Sequence, residues 1–140
     1  MPEKREIVLY DRAISACANE LNIDRKDLRA IVIIHELAHF LSHVMACKCL
    51  PQGWPTPNYS EPDSHFHEAC AQFAVFTMFG RTKDHYQESF EELLKNQSSV
   101  YHSYQRLLAR TGEIDKIWAA LSIARAKAIA PRFDEWLNQL

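Results

Sequence analysis

His35 and His39 stand four residues apart, and Glu36 follows the first of them directly. On a helix that spacing sets both imidazoles on one face, about 6 Å apart along the axis. Two imidazoles so placed can converge on one tetrahedral zinc through bonds of about 2.0–2.1 Å. Glu36 is turned by about 100° from His35, so it stands beside the pair and need not ligate. A carboxylate there can act as general base toward a water whose pKa zinc lowers to about 7. The chemistry these residues point to is hydrolysis. Seven histidines make a chance match to a short motif conceivable, but the setting speaks against exposed bystanders. Ala30-Ile31-Val32-Ile33-Ile34 precedes the pair and is apolar all round, so its helix is expected to be the buried central one. Buried imidazoles require partners.

A zinc site of this kind needs a third protein ligand. His43 continues the stripe, but on a continuous helix it lies about 12 Å along the axis from His35. The glycine turn with which metzincins solve this is missing, since Phe40-Leu41-Ser42-His43 holds no glycine. His43 is therefore expected at the rim of the cleft or hydrogen-bonded behind a metal ligand. Downstream, His65, His67 and Glu68 are the candidates. Glu68 is the favoured one. Ala69 and Ala71 beside it would let two helices approach closely, and Gln72 follows one turn later. Gln72 can then bond the outer nitrogen of a zinc-bound histidine and set its tautomer.

His35-Glu36-x-x-His39 followed by Glu68-x-x-Ala71-Gln72 resembles the gluzincin metallopeptidases. The likeness is nearest to members with a Glu-x-x-Ala-Asp second motif, as in the CAAX-prenyl endopeptidase type. Ala71-Gln72-Phe73-Ala74 is also similar to the helix of small cytoplasmic antirepressor peptidases, a small bacterial form. The resemblance covers the two metal helices, about a third of the chain. It implies Glu68 as third ligand, Zn2+ as cofactor and peptide-bond hydrolysis as activity. Gln72 stands where Asp is usual, so the bond to the histidine would be made by a neutral group.

An oxyanion donor is the remaining need of such a site. Tyr101, His102 and His67 are the first candidates, with Tyr59, His65, His85, Tyr86 and Tyr104 competing. The helical spacing of Phe90, Leu93, Leu94, Gln97 and Tyr101 otherwise reads as core packing. Trp54 could floor a cleft or cap the core. Trp118 and Trp136 read as core anchors, and Glu88, Glu91, Glu92 and Lys95 as a solvated helix face.

The elements that must position these residues are mainly helices. The chain has 140 residues with 47% apolar and 24% charged side chains, which fits one globular domain over 1–140. Ile7-Val8-Leu9-Tyr10 is the one strand-like stretch. Asp11 can cap a helix to about Leu21, and Asp24 a second to about Ala46. Cys47 to Pro62, rich in proline, is the expected loop, bordering the cleft. Ser60-Glu61-Pro62-Asp63 can start a third helix that runs to about Phe79, with Gly80 as its stop. Further helices are expected over Asp84–Lys95, Ser98–Arg110, Glu113–Ile129 and Pro131–Leu140. The expected architecture is a compact single-domain helical, zincin-like fold with at most a short N-terminal strand.

A net charge of −2 with interspersed signs excludes nucleic-acid binding by bulk electrostatics. The charged N-terminal stretch leads into no signal-type apolar core, and no apolar run could cross a bilayer. Cys17, Cys47, Cys49 and Cys70 are irregularly spaced and read as reduced thiols, so a cytoplasmic setting without membrane association is expected. The leading reading is a zinc-dependent endopeptidase acting on a protein or peptide substrate. The alternative is a zinc-stabilised regulatory or protein-binding module, working with a regulatory protein partner and having little hydrolase activity.

Overall fold

In the computed structural model the chain is described over residues 6–44, 64–125 and 132–138. Seven α-helices occur among these residues: α1 Asp11–Leu21, α2 Arg25–Val44, α3 Ser64–Phe79, α4 His85–Lys95, α5 Ser103–Arg110, α6 Ile114–Arg125 and α7 Phe133–Leu137. A 3-10 turn, Ser99–His102, leads into α5. The fold is mainly helical and the described residues contain no strand. Residues 6–10, the strand-like stretch, are irregular. A lone strand has no neighbour to take its backbone hydrogen bonds, so a short apolar run there does not suffice.

Local chemistry explains most boundaries. Asn22 ends α1 in the left-handed conformation at φ 54°, its N–H reaching Ala18 and Asn19 carbonyls. The expected cap at Asp11 is displaced by one position: Tyr10 precedes the helix, and Asp11, its first residue, pairs with Arg29 of α2. Asp24 does cap α2, its Oδ1 accepting from the N–H groups of Lys26 and Asp27 at 2.8 and 3.1 Å. Asp84 caps α4 in the same way through Tyr86 N–H. At the end of α3 a side chain on Gly80 would run into the Phe76 ring, so the stop needs glycine for space. The segment expected as one helix from Ser98 begins as the tighter 3-10 turn and becomes α-helical only at Ser103. The proline-rich loop with Trp54 and Tyr59, the capping sequence at Ser60, and Cys47 and Cys49 lie outside the described residues.

The helix at the centre is α3, not α2. It packs along α2 and also against α4, the 3-10 turn and α5. Ala69, Ala71, Gln72, Phe73 and Val75 are all buried, and at 100° per residue they reach around its circumference. On α2, Leu28 and Ile31 are buried, whereas Leu37 and Leu41 remain exposed. An apolar run marks a helix as packed on one side at least, and the partner decides how many sides. Phe73 and Phe90 anchor the core with Leu107, Ile117 and Phe133. Each such side chain contributes about 1.5–3 kcal/mol by leaving water. Trp136 is buried and Trp118 lies against Phe73 with ring centroids 4.9 Å apart, so both tryptophans anchor the last helices. Among the described residues no helix is long and apolar enough to cross a membrane.

Candidate metal centre

The packing of α2 on α3 brings His35, His39 and Glu68 together. Ala69 and Ala71, near Glu68 on α3, are both buried. His35 Nε2 lies 3.1 Å from His39 Nε2 and 2.9 Å from Glu68 Oε2. His39 Nε2 is 3.4 Å from Glu68 Oε1. Ligand atoms at about 2.0–2.1 Å from a tetrahedral zinc stand about 3.3 Å from one another. The imidazole nitrogens are 3.1 Å apart and each lies near a different Glu68 oxygen, at 2.9 and 3.4 Å, so the donor types and their approach suit a zinc ion once one carboxylate oxygen turns to it. Glu68 Oε2 suits the same role: it is buried and lies 2.9 Å from His35 Nε2.

Without a metal, the trio balances its own charges. Burial opposes a charged His35, but the hydrogen bond and negative charge of Glu68, with Gln72 and Glu36, outweigh it and raise the pKa. Burial likewise opposes a charged Glu68, yet hydrogen bonds from His35 and His39 hold its carboxyl down at about 2. The carboxylate is thus in the ionised form that a ligand requires.

Behind His35 runs a chain of amides. His35 Nδ1–H donates to Gln72 Oε1 at 2.9 Å, and Gln72 Nε2 donates to Gln97 Oε1 at 3.1 Å. Gln72 is buried, at 1% exposure. The bond to Gln72 keeps a proton on His35 Nδ1, so that Nε2, which faces His39 and Glu68, is the nitrogen left to give up its proton and ligate a metal.

A cavity of about 190 Å³ opens beside His35, with Glu36, Gln72, Gln97 and Tyr101 among its walls; of the three donors it borders His35. Glu36 thus shares an open space with His35 while standing off the three-donor cluster. The Tyr101 ring lies 6.0 Å from that of His35. Burial raises the Tyr101 pKa, and the negative charges of Glu68 and Glu36 add to the effect, so the phenol keeps its proton. A second cavity of about 390 Å³ adjoins the first and shares Val32, Glu36, Leu93 and Gln97 with it. Its other walls are apolar, among them Leu9, Ala13, Ile14 and Leu28.

The remaining candidates lie elsewhere. His67 is buried on α3 but is not one of the three convergent donors. His102 and His65 line a different cavity, where His65 bonds Ser103 at 2.8 Å. His85 bonds Asp27, Tyr86 stacks on Phe79, and Tyr104 is buried against Phe76 and Phe90. The His43 side chain falls outside the described part of α2. Phe90, Leu93 and Leu94 are core, as their spacing suggests, whereas Gln97 and Tyr101 face the site. Helical spacing could not separate them, because α4 ends at Lys95 and a turn redirects the chain before Tyr101. The polar character of Gln97 within an apolar series was the one signal available.

Compared with family models, with curated proteins and with solved structures, the chain matches none.

Proposed function

We propose that this chain is a zinc-dependent metallohydrolase, specifically an endopeptidase for protein or peptide substrates. His35, His39 and Glu68 would hold the zinc. The observation that carries the reading is the convergence of three donor atoms, one from each residue and all within 4.8 Å of one another, across two packed helices. A zinc bound there would lower the pKa of water and polarise a substrate carbonyl. Glu36 supports an enzyme over a purely structural site, since it lines the cavity beside His35 without joining the three donors. Its carboxylate takes a proton from the attacking water and returns it to the nitrogen of the leaving amine. Tyr101, protonated and facing the same cavity, donates its O–H to the oxygen on which negative charge develops. The apolar cavity beside Glu36 offers room for an apolar side chain next to the bond to be cut.

The test is Glu36→Gln, read with an unbiased peptide library. The amide keeps the shape but cannot accept the proton. Zinc content and fold should be retained while cleavage falls by about 10²–10⁴-fold, the usual cost of losing a general base. Equal cleavage by both proteins would remove Glu36 from the mechanism. A zinc-loaded wild type that cleaves nothing would favour the regulatory module.

A further inference from the structure

The amide behind His35 raises a problem that a carboxylate would not. A carboxylate accepts a hydrogen bond through either oxygen, whereas a glutamine has one accepting end and one donating end. For His35 to offer the Nε2 lone pair to a metal, its Nδ1 must carry the proton, and Gln72 must present Oε1 to it. The Nε2 amine of Gln72 then points away from His35, in a place where the side chain is 1% exposed. A buried amine in that orientation needs an acceptor. Gln97 Oε1, 3.1 Å away, is that acceptor.

The reverse orientation has its own logic. If Gln72 turned its amine toward His35, Nδ1 would have to accept, and the proton would sit on Nε2. That tautomer has no lone pair to offer on the metal side. The choice between the two orientations is made where the second bond of Gln72 ends. An acceptor at position 97 selects the metal-ready one, and Gln97 supplies it as long as its Oε1, not its amide nitrogen, faces Gln72.

Resting on the zinc reading of the trio, we propose that Gln97 is a positioning residue, which orients the Gln72 amide and through it holds His35 in the tautomer that binds metal. Gln97 is well placed for this. It follows α4 and is fastened by its own N–H to the Leu94 carbonyl at 3.2 Å. It also lines both the polar cavity and its apolar neighbour, so it meets what enters them.

Substitution at position 97 should retain or lose affinity according to whether an acceptor remains. Gln97→Glu offers only accepting oxygens, so it should hold the Gln72 amine at least as firmly and bind zinc no more weakly than wild type. Gln97→Met keeps the length and removes the acceptor, so Gln72 is free to turn. Zinc affinity, measured by chelator competition, should fall by about tenfold, the lower end of the effect of outer partners. The decisive arm uses Gln72→Glu as background. A glutamate at position 72 has no wrong end, so adding Gln97→Met there should change zinc affinity by less than about threefold, a double-mutant cycle with strong coupling. In the metal-free protein, the Gln72 side-chain amide protons should exchange slowly with solvent in wild type and Gln97→Glu, and fast in Gln97→Met. Urea unfolding of each variant separates loss of fold from loss of affinity.

An equal loss of affinity for Gln97→Met in both backgrounds would make its role merely structural and overturn the proposal. So would unchanged affinity in Gln97→Met alone, or fast exchange of the Gln72 amide in wild type. A wild-type protein that binds no zinc at all would instead bring down the metal reading itself, and the proposal with it.

Discussion

Stripping zinc from the protein and restoring it should move the thermal midpoint by a large and calculable amount. Glu68 stands on α3 and the two histidines on α2, so the complete donor set exists only when α2 and α3 are packed. The unfolded chain retains at most the pair His35 and His39. A ligand held by the folded state alone stabilises it by RT ln(1 + [L]/Kd), about 4.1 kcal/mol at a thousandfold excess of free zinc over Kd. For a chain of 140 residues, one kcal/mol corresponds to about 3–5 °C in Tm. The expected rise is therefore about 12–20 °C over the chelator-treated protein, in zinc buffered at that excess. Circular dichroism melts read it directly. The same titration on His35→Ala/His39→Ala should show almost no rise, because two of the three donors are gone. Calcium should give none with wild type, since it takes six or more oxygen ligands and the trio offers two nitrogens and one carboxylate. A rise of similar size in the double variant would place the zinc elsewhere and refute the reasoning. So would a wild-type midpoint that stays flat once zinc is in excess.

Glu68→Gln should weaken zinc binding by more than about tenfold, a larger loss than that from an outer partner, while His67→Ala leaves the affinity nearly unchanged; chelator competition ranks the two, and the reverse order would move the ligand to His67. A pH effect is expected at the contact between the starts of α2 and α4, where buried Asp27 accepts from Ser89 Oγ and His85 Nδ1, both at 2.8 Å. The bond to Asp27 raises the His85 pKa above 6.5, with the charges of Asp27, Asp84 and Asp24 adding to it. Because the folded value is the higher one, protonated His85 stabilises the fold fully below about pH 6.5, and the contribution disappears as pH rises through the raised value. Urea unfolding of wild type and His85→Gln between pH 5.5 and 9 should show a stability difference that shrinks with rising pH; a constant difference would count against the ion pair.

Much of the site was legible in the residues before any coordinates. The spacing of His35 and His39 forces them onto one face of any helix, because 3.6 residues per turn leaves no other choice. Glu36 is carried off that face by the same geometry. Capping chemistry is equally local: the side chains of Asp24 and Asp84 bond N–H groups two or three residues on, and Gly80 ends α3 where a side chain would meet Phe76. What the chain could not state about itself was which helix lies inside. The apolar run before His35 and the mixed sequence of α3 both suit a packed helix, and only the arrangement of neighbours put α3 at the centre. The same holds for the far side of the site. Glu68, His67 and His65 share one short helix segment, and the rotation of α3 against α2 turned Glu68 toward the histidines, left His67 in the interior and set His65 beside Ser103. Gln97 and Tyr101 come from beyond the end of α4, where a turn re-aims the chain, so their spacing carried no sign of the cavity they line. Local periodicity determines which side chains share a face. The docking of one face on another, which depends on every residue of both helices at once, decides which of them meet.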